Sequence, residues 1–178
     1  PVYVNFDCKP WRPVPGSTFC ETCNDDAMKP CSEYRCKSLG ANCEFINEGT
    51  DNEMCTFAAD DGSVPLVSFL DSTSSNNAHI DKESVGGFSI ASVDDGCLDA
   101  YEQIMFSVAT SELAYCKFDI KAVDFDNMTY DFGANSYTIN HSVAFTLPDP
   151  SAGQSQGYDW HGDLTLYVQC QDRFGFLS

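Results

Sequence analysis

Basic side chains are scarce in this sequence. Nine Lys and Arg stand against 27 Asp and Glu, for a formal charge of -18. A surface that negative repels phosphate backbones and anionic lipid, which argues against nucleic acid or a membrane surface as partner and favours multivalent cations and basic proteins. Long apolar runs are also missing. None approaches the ~18 residues that a membrane-spanning helix needs, so no membrane insertion is expected. An initiator Met and a signal peptide are absent, and the chain begins at Pro1, which marks it as a processed form or a piece of something longer. No GxSxG, HExxH or P-loop motif occurs. Ser, His and Asp are present with nothing in the pattern to bring them together, and His161, beside Asp159 and Trp160, reads as a loop residue. Acids are plentiful enough that a glycosidase-type carboxylate pair is not excluded by sequence, but the expectation is that this is not an enzyme.

Cysteine, by contrast, is abundant: Cys8, Cys20, Cys23, Cys31, Cys36, Cys43, Cys55, Cys97, Cys116 and Cys170. Five of the ten fall within "CETCNDDAMKPCSEYRCKSLGANC". Cys20 and Cys23 form a CxxC, half of a common zinc site, but the spacings of Cys31, Cys36 and Cys43 do not supply the second half, and His79, His141 and His161 are remote. A redox CxxC opens a helix in a βαβ context that is missing here. The even count, the paucity of lysine and two sequons, at Asn127 (Asn-Met-Thr) and Asn140 (Asn-His-Ser), favour disulfides in a secreted glycoprotein. The physical need is plain. Residues 1–57 hold few large aliphatic side chains (Val2, Val4, Val14, Leu39, Ile46), too few to offset the chain entropy of folding. Each bridge would contribute about 2–4 kcal/mol by restricting the unfolded chain. Spacing alone does not fix the pairings within the cluster.

The pattern divides the chain at "AADDGSVP", giving a disulfide-stapled module over 1–57 and a β domain over 58–178. In the first, "PVYVNFD" alternates so that Val2, Val4 and Phe6 share one face of a strand. "CKPWRPVPG" is a Pro-rich connector. "PCSEYRCKSLG" reads as a short helix with Ser32 as N-cap, Glu33 in the first turn, Gly40 at the end, and Cys36 and Leu39 facing inward. "ANCEFINEGTDNEMCTF" reads as a hairpin turning near residues 48–51, with a cysteine in each arm. In the second region, short β-rich runs at 65–70, 86–92, 103–109, 113–120, 136–147 and 163–170, with no intervening amphipathic helix, predict an antiparallel β-sandwich. Residues 74–84 read as a long polar loop. Cys116 and Cys170 lie within strands and would close a loop worth roughly 4 kcal/mol in the chain-entropy picture. Cys97 then has no partner in the sandwich, and parity sends it to the N-terminal cluster, tying the two regions covalently.

The segments "KPCSEYRCKSLGANCEFINEGTDNEMC", "CLDAYEQIMFSVATSELAYCKFD", "YTINHSVAFTLPDPSA" and "LYVQCQDRFG" together resemble a large group of secreted archaeal surface proteins. The later ones are also similar to Ig-like or fibronectin-type-III-like modules. Thr110, Glu112, Ala114, Cys116 and Phe118 match one strand motif of those modules, and Tyr167, Val168, Cys170, Asp172 and Gly175 match their closing one. The resemblance spans most of residues 20–175. It implies an Ig-like fold, a bridge between Cys116 and Cys170 on neighbouring strands, and surface display, adhesion or structural work with no catalytic residues. In such modules the closing turn leads into a final strand; here only Phe176, Leu177 and Ser178 follow. The sandwich would then lack a strand and keep an open edge. The N-terminal strand, without a sandwich partner of its own, would complete the next copy, head to tail. The alternatives are that it pairs within its own chain, or that the chain was cut from a longer protein.

Two ligand classes have candidates. Asp124, Asp126, Asn127 and Asp131 lie at near-alternate positions and offer the oxygens calcium prefers, without the EF-hand pattern; the competing reading is a solvated acidic loop. Calcium aside, no cofactor is expected. Trp11, Tyr158 and Trp160 could form a sugar platform, although most aromatics here fall at strand positions and read as core.

Overall fold

The computed structural model describes residues 3–4, 10–13, 15–16, 19–58, 62–70, 78–84, 86–92, 97–149 and 164–178, with the backbone alone for 82–84. The chain divides into two compact units, Pro1–Asp61 and Gly62–Ser178.

In the N-terminal unit a 3-10 turn, Cys20–Cys23, precedes helix α1, Glu33–Leu39, and a hairpin of β1, Cys43–Ile46, with β2, Met54–Phe57. The helix forms as its signals predict: the Ser32 hydroxyl accepts from the Arg35 amide at 3.4 Å, and Glu33 forms an ion pair with Lys37 one turn on. Seven residues are too few for an isolated helix, so packing must hold it. The hairpin pairs Cys43 with Phe57 and Phe45 with Cys55. Its turn needs left-handed backbone at Asn47 (φ 60°) and Gly49 (φ 81°), which Asn and Gly tolerate best. Among the described residues of this unit the buried apolar ones are Cys20, Cys23, Cys36, Cys43, Cys55 and Ile46, with Leu39, Phe45 and Phe57 partly buried against them. Its core is therefore made largely of cysteine.

The C-terminal unit is antiparallel β. It contains β3, Val67–Phe69; β4, Ala78–Ser84; β5, Gly87–Ser92; β6, Gln103–Asp119; β7, Tyr130–Asp131; β8, Thr138–Thr146; and β9, Tyr167–Asp172. β6 is the centre of a five-stranded sheet. Along one of its edges run β7 and β8, and along the other β3 and β9. β4 and β5 form a separate hairpin.

Two sequence expectations are corrected. The runs at 103–109 and 113–120 are one 17-residue strand, not two. "ATSEL" contains neither Gly nor Pro to break it, and the irregularity is a bulge within β6, where residues 110–113 stand against Ile139 alone between the Ala109–Asn140 and Ala114–Thr138 pairs. Thr110, buried, secures the crossing by hydrogen bonding the Glu112 carbonyl at 2.7 Å. The expected polar loop at 74–84 contains β4, a strand that sequence polarity hid because only Ala78 of its described side chains is buried.

Even-numbered residues of β6 (Phe106, Val108, Ala114, Cys116, Phe118) form the core with Phe132 and Cys170; Phe69, Ile90, Val143, Phe145, Leu166 and Val168 pack against it. Phe132 stands edge-on to Phe106 and Phe118, with centroids 4.7 and 5.9 Å apart. The next residue, Gly133, has φ +88°, and a Cβ there would lie 3.1 Å from the Ser142 carbonyl. Glycine is thus required both by conformation and by space where the chain turns from β7 towards β8.

His141 is buried in this unit, with Nε2 3.1 Å from the Thr138 carbonyl. Burial pushes its pKa below the ordinary value of 6.5, against smaller upward contributions from backbone hydrogen bonds of Thr138 and Phe132. A histidine kept neutral by the fold gains a proton on unfolding, so its contribution is present above the unfolded pKa and shrinks as pH falls below it. Thermal melts from about pH 8 to about pH 5 should show the wild type losing more stability than His141→Gln, with the difference opening below about pH 6.5. Parallel curves would contradict this role.

Candidate functional site

Four disulfides join described residues: Cys20–Cys43, Cys23–Cys31, Cys36–Cys55 and Cys116–Cys170. The first three tie the 3-10 turn, the segment before α1, the helix itself and both hairpin arms. Cys97 is exposed and bonds no described cysteine; Cys8 lies outside the described residues.

The bridges of the N-terminal unit crowd together. The sulfurs of Cys23, Cys31 and Cys55 all lie within 4.8 Å of one another, and Cys55 is bonded to Cys36. Two polar side chains add to this arrangement beside the sulfurs. Asn24 donates from Nδ2 to the Cys55 carbonyl and accepts the Cys55 amide at Oδ1, both at 2.8 Å. This fixes the residue after Cys23 against β2. The Arg35 guanidinium donates to the Pro30 carbonyl at 2.8 Å and to that of Lys29, fixing the residues before Cys31 against the helix that carries Cys36. Sequence spacing missed the cluster because Cys55 comes from the far arm of the hairpin. Asn24 carried no signal of its own in the sequence.

In the C-terminal unit, Cys116 and Cys170 are directly opposite on β6 and β9, with Cα atoms 4.0 Å apart. The Cys116 carbonyl accepts from Phe132 and the Cys170 carbonyl from Ser178, so both residues turn their backbone polar groups away from each other. This is a non-hydrogen-bonded pair, the closer of the two antiparallel pairings. It follows that Cys170 presents its amide and carbonyl to the outer edge of β9. By the two-residue alternation of a strand, Val168 and Asp172 do the same. Residues 176–178 answer part of that edge: Asp172 donates to Phe176, Ser178 donates to Cys170, and Gln171 bridges to Leu177. The turn between is held by buried Asp172, whose Oδ1 accepts from the Phe174 and Phe176 amides at 3.0 and 2.7 Å. N-terminal to Cys170, no described residue is registered against the edge, so among the described residues the Val168 amide and carbonyl have no strand partner. Gln169 Oε1, beside them, is buried without a hydrogen-bond donor among the described residues. Tyr167, Phe174 and Leu177 are exposed on the same hairpin.

The expected donor segment is described only at Tyr3 and Val4, which are in no strand and are 89% and 65% exposed; Val2 and Phe6 lie outside the described residues. Asn127 and Asn140 are both exposed, the first in a 3-10 turn, Phe125–Asn127, the second on β8. The calcium candidates Asp124, Asp126, Asn127 and Asp131 do not converge. Among the described residues no three acidic side chains bring oxygens within 4.8 Å of one another, and Asp131 is engaged by the Tyr115 hydroxyl. The organising acid is instead Asp119, whose carboxylate accepts the Lys121 and Thr129 amides at 3.0 and 2.9 Å. Burial raises its pKa, but the hydrogen bonds from Thr129, Lys121 and Ile120 prevail and hold it below the usual carboxylate value. Trp11 lies 5.7 Å from Tyr34, both largely exposed, whereas Tyr158, Asp159, Trp160 and His161 lie outside the described residues. His141, which is buried, bonds Thr138 and, among the described residues, neither a serine nor an acid. Among the described residues no helix is long and apolar enough to cross a membrane.

No protein-family model, curated protein or solved structure matches this chain.

Proposed function

We propose that the chain is a structural subunit of an extracellular filament or surface layer, assembled head to tail by β-strand addition. The carrying observation is the outer edge of β9, where the Val168 amide and carbonyl point away from the sheet with no described partner. Such an edge templates the pairing of another strand. The donor in this reading is the segment "PVYVNFD": Val2, Val4 and Phe6 alternate as a strand requires, and Val4 and Tyr3 are exposed in the single chain. Four disulfides suit an oxidising compartment, and exposed Asn127 and Asn140 are open to glycosylation. In this reading the C-terminal unit is an Ig-like sandwich of the secreted archaeal surface type, in which the β4–β5 hairpin lays Ile90 on the core of the larger sheet. Parity adds a fifth bridge. Three bridges account for every N-terminal cysteine except Cys8, so Cys8 is the partner left for Cys97.

Deleting residues 1–7 should abolish polymers in electron micrographs of purified material while the remaining chain stays folded. Added synthetic "PVYVNFD" peptide should cap growth of the intact chain. Polymers that persist after the deletion would overturn the reading.

The second reading is an adhesive, glycan-binding module of a larger surface protein. It is favoured by the exposed Trp11–Tyr34 ring pair, since aromatic faces stack on sugar rings. Dispersed monomers that give glycan-array signals lost in Trp11→Ala would support this second reading over the first.

A further inference from the structure

The two neighbouring bridges of the N-terminal unit have a second use. We propose that Cys23, Cys31, Cys36 and Cys55, when reduced by an external thiol or phosphine, form a tetrathiolate site for one soft divalent cation of the zinc class, which then holds the module in place of the two disulfides. Tetrahedral zinc with four thiolates places its sulfurs about 3.8 Å apart. Three of these four sulfurs already lie within 4.8 Å of one another, and the fourth is bonded to one of them. Two side-chain clamps add to that convergence without sulfur. Asn24 clamps the neighbour of Cys23 to the backbone of Cys55, and Arg35 clamps the approach to Cys31 against the helix of Cys36. Cys31 is the partly exposed member and gives the entry; Cys23, Cys36 and Cys55 are buried, which keeps competing water away. A module whose core is cysteine needs a cross-link in either redox state, and metal binding supplies it by coupling to folding.

The chemistry balances. With a phosphine, each S–S bond breaks as phosphorus gives up two electrons and takes oxygen from water, whose two protons pass to the sulfurs. Two disulfides thus yield four thiols and two phosphine oxides. Binding the cation releases the four thiol protons to buffer.

The test uses the full-length chain, reduced by a phosphine without air and titrated with Co2+ as a spectroscopic probe for zinc. One equivalent should develop the thiolate charge-transfer and tetrahedral d–d absorption, and amide-exchange protection lost from the β1–β2 hairpin on reduction should return. A Cys20→Ser/Cys43→Ser variant, which spares the quartet, should keep both signals. Cys23→Ser/Cys31→Ser should lose the tetrahedral band. Absence of the band in the reduced wild type, or its survival in Cys23→Ser/Cys31→Ser, would overturn the proposal.

Discussion

Cys36→Ala/Cys55→Ala unfolds the N-terminal unit and leaves the C-terminal unit intact. This bridge spans a sequence separation of 19, and closing such a loop is worth about 3 kcal/mol in the chain-entropy picture. The loss is compounded because both cysteines are fully buried in a cluster of cysteines against which Leu39, Phe45 and Phe57 are only partly buried. Truncating each to alanine removes packing that neighbours on a short helix and a four-residue hairpin arm cannot recover. A small stapled domain that loses a native bridge commonly fails to fold at physiological temperature. Amide exchange should show β1, β2 and α1 at the rate of an unfolded chain, while β6, β8 and β9 keep their protection. Retained protection in β1 and β2 would mean that the sulfurs are not what holds this unit together.

Phe132→Ala lowers the stability of the C-terminal unit by about 3–5 kcal/mol, the usual cost of emptying a buried aromatic site. Phe132 is fully buried, meets Phe106 and Phe118 edge-on, and belongs to the cluster that includes the Cys116–Cys170 bridge. Its amide also donates to the Cys116 carbonyl at 2.9 Å, so its backbone is pinned and cannot collapse into the cavity. Chemical denaturation followed through the C-terminal unit measures the cost; a loss below about 1 kcal/mol would show that the cavity closes after all.

What the sequence disclosed follows from how local each feature is. Helix α1 was legible because Ser32, Glu33 and Gly40 punctuate it within a few residues. The first hairpin was legible because its turn lies between two cysteine-bearing arms. Pairings were not, since cystine connectivity depends on which elements pack, and spacing says nothing of that. The unity of β6 was hidden by "TSE", which resembles a turn in composition but carries no residue that forces one. β4 was hidden because its polar residues answer to a partner strand, not to a core. The edge of β9 was half legible. The closing motif raised the expectation of an open edge, but that Val168 is the residue facing outward depends on register, which Cys116 and Cys170 set from across the sheet. The sulfur quartet and its Asn24 and Arg35 clamps had no local signature at all, because each joins residues on different elements.

The central claim is that cystine cross-links, made in an oxidising compartment, let a polar, core-poor region fold and serve as a scaffold. Peptide mapping by mass spectrometry of native, unreduced protein tests it most directly. The account predicts Cys20–Cys43, Cys23–Cys31, Cys36–Cys55 and Cys116–Cys170, with Cys8 joined to Cys97. Finding the cysteines of the N-terminal unit as free thiols or metal thiolates in native material would contradict it.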